Sequence, residues 1–231
     1  MNRFAAVLVI LLSLSGCKDG GILDYWERNG IAYDDIRAAQ RRFAVFAEQA
    51  AAAPEKDAEA AIDGLFDMLQ TDTVAYYIYS EWMTVAFYSP FSPCRNSVLF
   101  AKVAGRLISD GIYSEYDCFP LRLKLEWMSF NLPGEKAVVP SVNLDGRRTL
   151  VLVLDQGCPS CRAHLGELSS APEWGDVRRV ALCVGSGPAP DVPGWEYFFP
   201  EEPSAFFDPE QTPVYYVVSP DSLVEIPYTA N

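Results

Sequence analysis

The sequence predicts an α+β chain: an N-terminal all-α helical domain followed by an α/β domain that lacks an obvious C-terminal helix. Three observations predict it. Up to residue 131, apolar side chains recur at spacings of three and four, the repeat of a helix with one buried face. Beyond Asn131-Leu-Pro-Gly134 they gather into short runs rich in Val, Leu and Tyr, which suit strands. Between two such runs, Cys158-Pro159-Ser160-Cys161 stands where a strand gives way to a helix.

In chain order, Asn2-Arg3 is a short positive start, Phe4 to Leu14 an apolar stretch, and Leu14-Ser15-Gly16-Cys17 its end. A membrane-spanning helix needs about 20 apolar residues, so this stretch suits a cleaved signal peptide instead. Its ending resembles the lipobox of bacterial lipoproteins. That resemblance implies a signal peptide over 1–17 with lipid attachment at Cys17; an ordinary secretory signal is the other reading. The helical domain is then 18–131, beginning with a tether from 18 to about 30.

Within it, Tyr33 to Ala53 carries Ile36, Ala39, Phe43, Phe46 and Ala50 on one stripe, and Pro54 ends that helix. Glu55 to Leu69 follows with Ile62, Leu65, Phe66 and Leu69 on a face. A third helix runs through Val74 to Phe87, capped by Asp72 or Thr71, although its β-branched and aromatic content also fits a strand. Arg95–Ser109 and Phe119–Phe130 read as two further helices separated by the turn signal Asp110-Gly111. The aromatic series Tyr76, Tyr77, Tyr79, Trp82, Phe87 and Tyr88 reads as helix core, with a binding groove as the alternative.

The second domain, 132–231, has strands expected at Thr149–Leu154, Val177–Val184, Trp195–Phe199, Val214–Val218 and Leu223–Ile226, and a helix after Cys158. Asp145-Gly146 and Pro220-Asp221-Ser222 mark turns between apolar runs. The order strand, helix, strand, then hairpin is an α/β pattern.

Composition limits the function. Half of the residues are hydrophobic and 13% aromatic, enough for a packed core. The net charge of −13 leaves no basic face to release counterions from phosphates, which argues against nucleic acid. The same charge argues against electrostatic adhesion to anionic lipid, leaving an acyl chain as the membrane anchor.

Beyond Cys17 lie five cysteines: Cys94, Cys118, Cys158, Cys161 and Cys183. A thiol at a helix N-terminus is stabilised as thiolate by unpaired backbone N–H groups, and a second Cys three residues on shares its side of the first turn. Such a pair shuttles between dithiol and disulfide. A zinc site needs two more ligands, and the chain's single His164 supplies no second pair. A c-type haem needs His directly after the second Cys, where Arg162 stands. That one histidine also disfavours a Ser-His-Asp triad and reads as a solvated helix-face residue. Cys183, in an apolar run, reads as a buried small hydrophobe. Cys94 and Cys118 are either two thiols or one disulfide, the latter contributing about 3 kcal/mol in the loop-entropy picture. Gly185-Ser-Gly-Pro-Ala-Pro190 reads as a loop, with no Lys placed for phosphate.

The strand with Cys158-Pro159-Ser160-Cys161 and its helix, the run Arg178 to Val184, and Gln211-Thr212-Pro213 ahead of Val214–Val218 together resemble the thioredoxin-like fold. The likeness is nearest to extracytoplasmic thiol-disulfide oxidoreductases. The whole chain is similar to bacterial lipoproteins that join a helical domain of uncharacterised role to a thioredoxin-like domain. Phe87-Tyr-Ser-Pro-Phe-Ser-Pro-Cys-Arg-Asn96 and Phe119-Pro-Leu-Arg-Leu-Lys-Leu-Glu126 carry that likeness in the first half.

The resemblance implies Cys158 as nucleophile, Cys161 as resolving thiol, Pro159-Ser160 tuning the potential, and Thr212 with a cis Pro213 shaping the substrate groove. It implies no cofactor beyond the Cys158–Cys161 disulfide. The partners it implies are disulfides of exported proteins or small molecules and a membrane electron donor. The place is the extracytoplasmic cell envelope. A non-catalytic interaction protein on the same scaffold is the alternative. The sequence departs from the family at Asp155-Gln156-Gly157, where an aromatic residue is usual before the first Cys, and in having no helix pattern after the final strand. One sheet face is therefore expected to be less covered, or covered by the helical domain.

Overall fold

Every helix of the first half begins or ends on a residue whose chemistry forces it. The computed structural model describes residues 21–229; Cys17 and the signal segment lie outside them. The helices are α1 (Tyr25–Asn29), α2 (Ile36–Ala52), α3 (Glu55–Leu69), α4 (Thr73–Tyr88), α5 (Ser97–Ser109) and α6 (Glu115–Ser129). Asp35, Asp72 and Asn96 each sit in an extended conformation at an N-cap and accept from two amides of the first turn. With Asp72 as cap, α4 is a helix and not a strand, and its buried stripe is Tyr76, Tyr79, Met83 and Phe87.

Three expectations are corrected. The segment before Gly30 is not a simple tether: α1 inserts Tyr25 and Trp26 into the core, and the Tyr25 phenol donates to the Arg42 carbonyl at 2.7 Å. Helix α5 starts at Ser97 and not Arg95, because Asn96 makes the cap. Helix α6 starts four residues before Phe119. Ser114 and Asp117 form a reciprocal capping box there, and the helix continues through Pro120 with one backbone donor fewer.

One core fills this half. Phe46, Ile62, Leu65, Phe66, Tyr76, Tyr79, Phe87 and Phe100 are fully enclosed, and each large apolar side chain so buried contributes about 1.5–3 kcal/mol. The aromatic series is therefore core, except that Tyr77 remains 43% exposed and Trp82 is only partly buried against it. Cys94 and Cys118 are both buried and both free thiols.

The second half is a five-stranded sheet of β1 (Thr149–Leu154), β2 (Arg178–Cys183), β3 (Glu196–Phe198), β4 (Val214–Val218) and β5 (Val224–Thr229), in the order β3-β2-β1-β4-β5. Strands β1, β2 and β3 run parallel, while β4 and β5 are antiparallel neighbours. All six residues of central β1 are buried, as expected of a strand covered on both faces. Helix α7 (Pro159–Ser170) packs Cys161, Leu165 and Leu168 on the face made by Leu150, Leu152, Leu154, Ala181 and Val217. The opposite face, Val151, Val153, Val180, Leu182 and Tyr216, is closed by Phe207 and by the strap Ala137 to Leu144. Mixed topology, a Cys-x-x-Cys after β1 and a cis bond before β4 define a thioredoxin-like fold.

Candidate active site

The Cys158-to-Cys161 turn is built by the junction of β1 and α7. Pro159 is the first helical residue, where its missing N–H costs nothing, and this leaves Cys158 as N-cap. Cys158 is half-buried and Cys161 fully buried, both as free thiols. The Cys158 Sγ lies 2.8 Å from the Ser160 hydroxyl, and the Cys161 amide faces it without closing a full capping bond. These donors pull the Cys158 thiol below its ordinary pKa, with Ser160 the largest cause and the Cys161 amide next. Cys161 goes the other way. Burial pushes it up to about 11, against donation from the Asp155 amide and the Thr212 hydroxyl. The buried thiol itself faces Cys158, where its proton favours the thiolate. The pair thus sets a more acidic, half-open thiol against a less acidic, enclosed one.

The peptide bond between Thr212 and Pro213 is cis, Pro213 is buried, and the Thr212 hydroxyl faces Cys161. The structure therefore gathers Cys158, Ser160, Cys161 and Thr212 at one point. Residues from beyond the motif join them. Asp155 accepts from the Gly157 amide at 2.7 Å, and Gln156 Oε1 accepts from the Gly185 amide at 2.9 Å. A side chain at Gly185 would collide with the Asp155 carboxylate and so displace the acceptor of the Gly157 amide. The sequence reads 185–190 only as a loop; Gly185, two residues past the end of β2, was the signal that it packs on the turn.

His164 is a correction. It is not on a solvated face but 6% exposed, with its ring 5.9 Å from Tyr215. The buried stripe of α7 runs Cys161, His164, Leu165, Leu168, which draws the imidazole in with its neighbours. Cys183 is buried as expected, and burial raises its thiol to about 11.

Among solved structures, this fold is similar to a thioredoxin-like protein from Bacteroides caccae. The match has a TM-score of 0.70 at 16% identity, over 90% of this chain and 87% of that one. No protein-family model matches the chain, and the comparison with curated proteins found no match.

Proposed function

We propose that the chain is a thiol-disulfide oxidoreductase of the cell envelope, reducing or isomerising disulfides of exported proteins through Cys158 and Cys161. The observation that carries this reading is the opposed pair of thiols, Cys158 lowered and partly open, Cys161 raised and enclosed. The Cys158 thiolate attacks one sulfur of a substrate disulfide, forming a mixed disulfide and expelling the other sulfur as thiolate. Cys161 then loses its proton and attacks Cys158, releasing the second substrate sulfur. The substrate has gained two electrons from the pair and two protons, one released by Cys161 and one taken from solvent, and Cys158–Cys161 is a disulfide. Returning the pair to dithiol takes a dithiol donor in the membrane, reached from a lipid anchor at Cys17. Thr212 and Pro213, beside the pair, form the edge of the substrate groove, and Pro159-Ser160 set the potential.

The test is the rate of iodoacetamide reaction at Cys158 against pH, together with reduction of insulin disulfides. Labelling with a midpoint below the ordinary thiol value of 9.0, and insulin reduction lost in Cys158→Ser, are expected. An ordinary midpoint with no insulin reduction would leave a non-catalytic interaction protein on this scaffold.

A further inference from the structure

The helical half meets the sheet half at the segment that leads to Thr212 and Pro213. Between β3 and β4 the chain has only two short 3-10 turns, Pro203–Ala205 and Pro209–Gln211. Side chains of the helical half hold both. Trp127 of α6 donates its indole N–H to the Ser204 carbonyl at 2.8 Å, and Phe130 packs against Phe206 with the rings tilted and their centroids 6.0 Å apart. Tyr88, the last residue of α4, donates its phenol to Asp208 Oδ2 at 2.7 Å.

Asp208 is bidentate in effect. Its other oxygen accepts from the Glu210 amide and caps the Pro209–Gln211 turn. Thr212 follows directly, its hydroxyl 3.4 Å from the Pro209 carbonyl and facing Cys161. Tyr88 is itself fixed: it is 4% exposed, its ring packs on Phe100 at 4.8 Å, and Lys124 lies over it at 5.0 Å. Burial and then Asp208 raise its phenol, which keeps it a neutral donor.

From this geometry we infer that the helical half positions the substrate edge of the site, with Tyr88 as a positioning residue that acts through Asp208 on the Thr212–Pro213 segment. The inference rests on the exchange reaction proposed above. Tyr88 touches neither cysteine. Its effect therefore falls on docking of a bulky disulfide and not on the acidity of Cys158.

The experiment compares Tyr88→Phe, Asp208→Ala and the double variant in the full chain, with Tyr33→Phe as control. That control deletes a phenol–carboxylate bond of the same kind, 2.9 Å to Asp72, far from the seam. Insulin reduction by Tyr88→Phe is expected to fall about tenfold in kcat/KM, the scale of a slight misplacement. The pH profile and rate of iodoacetamide reaction at Cys158 should match the parent. Asp208→Ala should show the same loss, and the double variant no further loss, because one link is being cut twice. Asp208 lies on a surface turn, so it carries the test if Tyr88→Phe folds poorly.

An active parent with Tyr88→Phe at the parental insulin rate overturns the inference, as does an equal loss in alkylation and insulin reduction. A parent that reduces no insulin overturns the exchange reading first and this inference with it.

Discussion

Both halves of the molecule bury cysteines, yet they do opposite things with them. In the helical half, Cys94 sits among Phe43, Trp82 and Pro93, and burial together with Glu48 raises its thiol. No amide or hydroxyl is aimed at it as a cause of acidity. In the sheet half, Cys158 stands at the first turn of α7 with a hydroxyl and amides converging on its sulfur. The same side chain is a small hydrophobe in one setting and a candidate nucleophile in the other. Reactivity here comes from oriented donors, and those come from a backbone turn that the sheet holds still.

The strongest way to test that division is to damage the helical core and watch the thiols. Phe66 is fully buried, and the Arg106 guanidinium lies 5.4 Å from its ring centroid while pairing with Asp63, Asp67 and Asp110. Phe66→Ala is expected to cost about 3–5 kcal/mol in urea unfolding, combining lost transfer energy with a cavity. In the surviving folded fraction, the pH midpoint of Cys158 alkylation should stay at the parental value. A midpoint that moves with Phe66 would mean that the two halves share one cooperative structure down to the active-site turn.

A second test works within the sheet half. Cys161 and Cys183 are both buried with thiols near 11. The folded chain keeps protons that unfolded thiols release near 9, so their contribution is complete below pH 9 and is lost as pH rises toward 11. Each can account for up to about 2 kcal/mol over that window. Cys183→Ala should therefore fall less steeply than the parent in reduced samples unfolded by urea between pH 9 and 11. Equal slopes would show that Cys183 is not held neutral by its surroundings.

How much of this could be read from the sequence follows from distance along the chain. Helices α2 to α5 were legible because a 3.6-residue repeat is a local signal, joined at α4 by the Asp72 cap; the Asn96 cap went unread, and α5 was begun two residues early. The Cys158–Cys161 pair was legible for the same reason, since strand end, cap and first turn occupy a few consecutive residues. Helix α1 was not: five residues cannot display a period, and its stability comes from Trp26 packing on Phe46 and Tyr79. Burial of His164 depends on Tyr215, a strand away. The Tyr88–Asp208 bond joins residues 120 positions apart, and nothing at either position marks the partnership. Tyr88 looked like the end of an aromatic helix, and in one sense it is.

The smallest effect bears most directly on the contrast between inert and reactive thiols. Ser160 is exposed and packs nothing, so Ser160→Ala should leave urea unfolding within about 0.5 kcal/mol of the parent. It does remove the hydroxyl that is the largest cause of the lowered Cys158 thiol. The midpoint of Cys158 alkylation should then rise toward 9.0, and the rate at neutral pH should fall with the thiolate fraction. The rise should stop short of 9.0, because the Cys161 amide and thiol still face the sulfur. An unchanged midpoint would assign the whole shift to the helix terminus. Any cysteine at that N-cap would then be equally acidic, and Ser160 would be a bystander in the turn it completes.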